Sequence, residues 1–375
     1  MALSNNLQKL TAGIQKKYDK NMVSVASETT HRDIVTHHTG SLMLDVAIGA
    51  RDRAGIPEGR FIEIYGDPST GKTTIAFIAI AARQAEEKLR VLEDPDHVKK
   101  FCVFVDAEHA MDLTLAEEYG VDLDELIIID PETAEEAMDV LDAYIRSGEV
   151  GLAIVDSVSA LVPSSIEQAS FEQKEMATLA RFMSQVCMKL TGPAFKNKTS
   201  IIFVNQLREQ VGRWSPTGIS TTSPGGRALK FYSTVRLEVK RGEPIKEGTE
   251  NVGHKIRVRV VKNKVGVPFK EATISLVYGK GIDKSDELLQ IALKQGLIVQ
   301  GGAWYSYVDP DTGEIISFND VQMRSQGKVN MLEFIRTIPE FFNELEAKVR
   351  GTVIELDNID EELLDAYKKE SKEGE

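Results

Sequence analysis

Cysteine is nearly absent from this sequence. Cys102 and Cys187 are the only two in 375 residues, and both lie in apolar segments. That excludes a disulfide framework and a thiolate metal cluster, and both thiols are expected to pack as small hydrophobes in a reducing cytoplasm. Histidine is sparse too. Of six, only His37-His38 are adjacent, and they read as a solvated loop pair rather than a metal site. No apolar run approaches the ~18 residues that would mark a membrane span. The first twenty residues lack the apolar core of a signal peptide. What is present is 42% hydrophobic and 27% charged residues, the make-up of a soluble globular protein with a large core and room for a smaller module.

The net charge of −13 argues against a nucleic-acid binder until its distribution is read. Arg181 to Lys270 holds 18 Lys/Arg and 5 Glu, a balance of +13 that leaves −26 on the remainder. Glu355 to Glu375 alone carries 9 acids against 3 lysines. Such segregation fits a basic channel on an acidic body; the plainer alternative is a set of solvated strand edges.

Gly66-Asp67-Pro68-Ser69-Thr70-Gly71-Lys72-Thr73 fits the phosphate-loop pattern G-x-x-x-x-G-K-[ST]. A strand-like run, Phe61 to Tyr65, precedes it, and an apolar helical run from Thr74 follows. Backbone N–H groups of such a loop turn toward phosphate oxygens at a helix N-terminus. Lys72 would reach the terminal phosphates and the Thr73 hydroxyl would hold Mg²⁺. Further continuous apolar runs at 101–105, 126–129, 151–155 and 200–204 predict strands of a parallel sheet covered on both faces, with helices between them. Residues 235–240 and 255–260 alternate apolar and charged, as antiparallel strands with one wet face do. Leu7 to Lys17 reads as an amphipathic helix and 22–26 as a short strand. Met331 to Arg350 reads as one helix and 355–375 as an acidic tail.

Three strand ends carry candidate chemistry. Asp156 closes the run 151–155 and could serve Mg²⁺, or simply cap a turn. Glu108, in Asp106-Ala107-Glu108-His109, could orient a water for attack, or cap a neighbouring group. Asn205-Gln206 leads into a long loop, Gly212 to Gly226, that holds Trp214 between Arg213 and the cations Arg227 and Lys230. Such a loop suits single-stranded nucleic acid, with phosphates on cations and bases on the ring; a plain loop is the alternative.

These motifs, with Gly225 to Tyr232, Val260-Val261-Lys262-Asn263-Lys264 and Gly302 to Tyr307, occur in one order. The chain resembles the bacterial RecA recombinase family over about residues 5 to 350. The resemblance implies an α/β RecA-type core with a mostly parallel sheet (41–281). It also implies an N-terminal helix-strand arm (1–40), a small α+β module that admits duplex DNA (282–350) and an acidic tail (351–375). It implies a DNA-dependent ATPase that polymerises on single-stranded DNA and exchanges strands with a homologous duplex, in recombination, repair and the SOS response. Single-strand-binding and loader proteins and the SOS repressor are implied partners.

The resemblance also implies roles. Gly66 to Thr74 would bind ATP, Thr73 and Asp156 Mg²⁺, and Glu108 the water. Gln206 would sense the γ-phosphate, and Lys262 and Lys264 would reach a neighbour's γ-phosphate. Asp112 and Tyr278 would border adenine, and Phe231 would lie at the subunit contact. Met176, Arg181, Trp214, Gly225, Gly226 and Arg227 would face the primary DNA strand. Arg208, Lys240, Arg241, Arg257 and Arg259 would form a second site. Leu115 stands where the family places an aromatic against adenine, and Arg227 replaces a usual amide. Segments 86–100 and 311–323 are longer than usual. A ring-forming helicase motor and a non-hydrolysing DNA scaffold are the rival readings.

Overall fold

The computed structural model describes residues 4–18, 23, 34–49, 54–167, 175–215, 218–222, 224–318 and 320–350; within these, the side chains of 166–167, 175–176 and 208–222 are not described. Met1–Val35 and Thr36–Glu375 are two compact units. In the first, Asn5–Lys17 is a helix with no buried residue, Leu7 and Leu10 are exposed, and Gln15 Nε2 donates to Val23 O at 2.7 Å. The strand expected at 22–26 lies, apart from Val23, outside the described residues.

The second unit is built on a nine-stranded sheet. In spatial order its strands are Gly281–Ile282, Glu271–Val277, Glu250–Asn263, Val235–Glu247, Phe61–Gly66, Ser200–Gln206, Val150–Asp156, Phe101–Asp106 and Leu126–Ile129. The last six run parallel, and the first three join them antiparallel at one edge. Continuous apolar strands are explained by alternation across two covered faces. Ile62, Ile64, Cys102, Phe104, Leu152 and Ile154 enter one core cluster, and Phe61, Val103, Val105, Ala153 and Val155 the other. Both cysteines are buried and free, and burial pushes each thiol up to about 12. The first cluster continues without a break into Leu288, Tyr307, Phe341, Leu345 and Val349. Among the described residues no helix is long and apolar enough to cross a membrane.

Three expectations need correction. The helix expected over 331–350 is two, Lys328–Thr337 and 339–350. Ile338, just before Pro339, is extended (φ −113°, ψ 93°), because a proline ring disfavours helical backbone in the residue preceding it. The stretch read as a loop from Gly212 is a hairpin, Arg208–Ser215 against Gly218–Thr222, with Trp214 opposite Ile219. Its β-branched residues Val211, Ile219, Thr221 and Thr222 favour pairing despite the small polar composition. Finally, His37 is not solvated. It is 1% exposed, lies 3.1 Å from Ser200 Oγ, and burial holds it well below the usual imidazole range.

Helix Lys284–Lys294 joins the module to the core through Glu287. This residue is buried and accepts from Ser41 Oγ (2.5 Å) and Leu42 N (2.8 Å) at the start of helix Leu42–Ile48. Burial pushes its carboxyl up to about 7, helped by the nearby Asp45 charge and opposed by those hydrogen bonds. A carboxyl raised on folding stabilises most below its unfolded pKa and loses that contribution as pH rises through the folded value. The chain should therefore lose up to about 3 kcal/mol between pH 5 and 8 through this group, at about 1.36 kcal/mol per pKa unit. Thermal melts across that range should show a drop in the native chain that Glu287→Gln flattens.

Candidate nucleotide site and DNA-facing segments

The phosphate loop leaves the central strand Phe61–Gly66 and ends at Gly71, the N-cap of helix Lys72–Glu93. Two contacts demand glycine. A Cβ on Gly66 would lie 2.1 Å from Val239 O, and one on Gly71 (φ +92°) 2.5 Å from Ile256 Cδ1. Asp67, Pro68 and Ser69 are exposed, and Ser69 has φ +57°. Thr70 Oγ1 and Lys72 Nζ donate to Asp67 O at 2.9 and 2.7 Å. Burial lowers the Lys72 pKa, and the charges of Asp156, Glu108 and Asp67 oppose it. A phosphate at this loop would also favour the ammonium. Thr74 continues the first helical turn.

Three strand ends converge beside the loop. Thr73 Oγ1 donates to Asp156 Oδ2 at 2.6 Å. Burial raises the Asp156 carboxyl to about 6, with Glu108 and Asp106 adding to the rise and Thr73 and Lys72 opposing it. Glu108 Oε1 accepts from Ser157 Oγ at 2.5 Å and Gln206 Nε2 at 2.8 Å. Sequence reasoning missed Asp106 and Ser157. Asp106 is buried, and its carboxylate accepts from Ala110 N (3.2 Å) and Met111 N (2.9 Å), winding the segment that carries Glu108. Its place directly ahead of Ala107-Glu108 was the available signal.

Asp112 caps helix Leu113–Glu118 by accepting from Leu115 N at 3.1 Å, and Leu115 packs against the core. Tyr278, half exposed, has its hydroxyl 3.2 Å from His254 Nδ1 and 3.3 Å from Arg241 Nη2, which donates to it. Lys262 and Lys264 are elsewhere. Arg236 pairs with both Glu63 and Lys262, whereas Gly66 pairs with Val239, so the lysines sit at the opposite end of the parallel strands from the phosphate loop. Lys262 Nζ donates to Lys230 O (2.6 Å) and Phe231 O (3.0 Å), and Lys264 Nζ to Phe231 O (3.4 Å). The Phe231 ring is 69% exposed beside them.

Gly225 and Gly226 (φ +80° and +72°) close the hairpin segment onto helix Glu175–Asn197. A Cβ on Gly226 would meet Ala180 Cβ at 2.7 Å. Arg181, on that helix, and Arg227, just after the glycines, are both exposed. Met176 starts the same helix, and Arg208 and Trp214 lie in the hairpin strand. Lys240 is opposite Arg257, and Glu238 opposite Arg259, on the outward face of the antiparallel pair. Glu238 and Glu271 partly offset this row, at 3.2 Å from Lys240 and 3.7 Å from Arg259. Arg241 is exposed near its end.

A glycine loop between strand and helix, with a hydroxyl–carboxylate pair and a tethered glutamate beside it, defines a phosphate-loop nucleotide-binding protein. Residues 5–283 match the model of the RecA N-terminal domain, and 286–353 that of the RecA C-terminal domain. Protein RecA of Oceanobacillus iheyensis is 41% identical over 349 residues, covering 93% of this chain and 92% of that protein. Protein RecA of Enterococcus gallinarum is 40% identical over 93% of this chain and 94% of its own length. That of Halalkalibacterium halodurans is 40% identical over 90% and 88%. The chain belongs to the RecA family. It is an ATP-binding, DNA-binding recombinase: a DNA-dependent ATPase of homologous recombination, strand exchange and repair.

Asp106→Asn replaces one acceptor oxygen with a donor facing a backbone N–H, and so should loosen the Glu108 segment. We expect turnover on single-stranded DNA to fall roughly tenfold or more, as small misplacements of catalytic groups do. ATP affinity, measured by equilibrium binding, should change less than about threefold.

Proposed function

We propose that each ATP is hydrolysed between adjoining protomers of a helical filament on DNA, and that this shared nucleotide sets the geometry of the DNA-contacting segments. The observation that carries the reading is the position of Lys262 and Lys264, at the end of the strands remote from their own phosphate loop. A neighbouring copy can lend such a pair to the terminal phosphate, where cations of this kind are worth roughly 10³ or more in rate. Phe231, exposed beside the lysines, would mark that contact, and the arm 1–40 would dock on the next copy.

Within one pocket, the backbone of Gly66 to Thr74 and the Lys72 ammonium would hold the phosphates. Glu108 would orient the attacking water and take its proton. Gln206 would link the γ-phosphate to the hairpin that begins two residues later. Asp112 and Tyr278 would border adenine, with Leu115 offering an apolar side chain in place of a ring. The Thr73 hydroxyl and Asp156 carboxylate are hard oxygen donors of the kind Mg²⁺ takes together with phosphate oxygens. The raised Asp156 pKa is a penalty that a cation there would relieve. When bound, the ion would supply neutralisation of phosphate charge.

Segments 164–177 and 212–226, with Met176, Arg181, Trp214, Gly225, Gly226 and Arg227, would line the primary strand. Arg208, Lys240, Arg241, Arg257 and Arg259 would hold a second one, consistent with the +13 balance of Arg181 to Lys270. The module 282–350 would admit duplex DNA, and the tail 351–375 would compete with it electrostatically. Lys328, ion-paired with Asp286, would have to exchange that partner to meet a phosphate. Cytoplasmic residence, single-strand-binding and loader proteins and the SOS repressor complete the reading.

Electron microscopy of the protein with single-stranded DNA and a non-hydrolysable ATP analogue should show a helical polymer with nucleotide at every protomer junction. Nucleotide enclosed within single protomers, remote from any partner's Lys262, would refute the reading. Trp214→Ala should weaken single-stranded DNA binding by about 1–3 kcal/mol at matched salt if the ring stacks on bases; titration by fluorescence anisotropy reads this directly.

A further inference from the structure

Glu63 is fully buried in the central strand of the sheet. Its Oε2 accepts from Arg236 Nε at 2.5 Å, and its Oε1 from Asn205 Nδ2 at 3.3 Å. The same Asn205 nitrogen donates to Pro224 O (3.1 Å), at the end of the DNA-facing hairpin segment. The Arg236 guanidinium stacks 4.6 Å above the Tyr65 ring and is mostly covered. In register, Arg236 lies between Glu63 on one side and Lys262 on the other. Register partners share a face, so the three side chains form one row across three adjacent strands. The Lys262 ammonium ends that row and donates to the carbonyls of Lys230 and Phe231.

Arg236 and Lys262 compete electrostatically for one buried carboxylate. Burial lowers the Lys262 pKa, the charges of Lys264 and Arg236 lower it further, and Glu63 raises it. Arginine holds such a site with its planar, always-charged fork, and Tyr65 adds a stacking surface. With Arg236 in place, Glu63 is satisfied and Lys262 is left on the carbonyls of Lys230 and Phe231, away from the carboxylate. Without it, an uncompensated buried carboxylate would face a lysine one strand further along.

We propose that Arg236 is a positioning residue for the hydrolytic reaction. By neutralising Glu63 it keeps Lys262 from folding inward, and so keeps that lysine available to the neighbouring protomer's nucleotide. The inference rests on the reading that Lys262 acts across the junction. It adds that the lysine's outward direction is set by a charge pair that touches no nucleotide.

The test uses the full chain on single-stranded DNA. Arg236→Gln should cut ATP turnover about tenfold or more while leaving ATP affinity within about twofold. Adding Glu63→Gln removes the carboxylate that captures Lys262, and the double variant should recover turnover to within about threefold of the native chain. A pair serving stability alone gives the opposite order, with the double variant as slow as the single; that result, or normal turnover in Arg236→Gln, overturns the proposal. Should Arg236→Gln melt below the assay temperature, Arg236→Lys retains the charge. It should slow turnover by a smaller factor, which Glu63→Gln again relieves; no relief overturns the proposal.

Mixed filaments separate this inference from the reading beneath it. Lys262→Ala and Glu108→Gln, each slow alone, should restore turnover when mixed, because one supplies the pocket and the other the lysine. If that mixture stays inactive, action across the junction fails and the proposal with it. If it recovers but Arg236→Gln mixed with Glu108→Gln does not, only the role of Arg236 fails.

Discussion

One oxygen atom ties the chemistry of this protein to its scaffold. Glu108 Oε1 accepts from Ser157, just past one strand, and from Gln206, the last residue of another, while Glu108 itself follows a third. Adjacent parallel strands end at one edge of the sheet, so residues distant in sequence converge there. The hydrogen bonds lock the glutamate in a direction that its own exposed segment could not hold. They also make Gln206 a mechanical partner of the carboxylate. A γ-phosphate that attracts either group disturbs the other, and the hairpin that starts at Arg208 is two residues away. On the proposed reading, hydrolysis and DNA contact would be coupled through this one hydrogen bond.

The sheet also acts as a spacer. Six parallel strands put the phosphate loop at their carboxyl edge, and the antiparallel strand Glu250–Asn263 runs back so that Lys262, and Lys264 just past its end, lie toward the other edge. On the reading proposed above, a single copy would hold half of two pockets rather than one whole pocket. That incompleteness gives polymerisation a consequence for catalysis, because a cation placed only at a junction acts only in the assembled state. The charge pattern follows the same division. Cations concentrate between Arg181 and Lys270, the stretch that holds most of the proposed DNA- and neighbour-facing residues, and the acidic excess lies elsewhere in the chain.

Much of this was legible in the sequence. Continuous apolar runs located five parallel strands, four of them almost wholly buried and the fifth, Leu126–Ile129, at the edge with Ile128 exposed. The places of the phosphate loop, Asp156, Glu108 and Gln206 were legible because each begins within three residues of the end of such a run. The break at Pro339 was legible in principle, through the constraint a proline places on Ile338, but helical periodicity on both sides masked it. The hairpin from Arg208 was hidden by serine, threonine and glycine, whose composition reads as loop while the β-branched members favour strand. His37 and the Glu63–Arg236 pair were not legible at all. Whether a polar side chain is buried, and which charge it meets on the neighbouring strand, depends on register and strand order, and neither is encoded locally.

The segment 86–100 is held to the core by one buried ion network. Helix Lys72–Glu93 runs past the sheet, and Arg83, fully buried, meets Glu87 at 2.8 Å and Glu58 at 3.1 Å. Arg90 adds contacts at 3.2 and 3.3 Å to the same two carboxylates. The chain then turns back, and Glu87 Oε2 accepts from Lys100 N at 3.0 Å and lies 2.9 Å from His97 Nε2. One carboxylate thus fixes both the outgoing helix and the last residue before strand Phe101–Asp106. Strand Phe101–Asp106 is thereby anchored at its start, and Asp106 and Glu108 follow at its far end, beside the phosphate loop. A buried ion network is an expensive way to gain stability, since desolvation offsets most of its attraction. Its value here is geometric. Arg83 stands about 16 Å along the helix from Lys72 at 1.5 Å per residue, so the network fixes the far end of the helix without touching the phosphate loop.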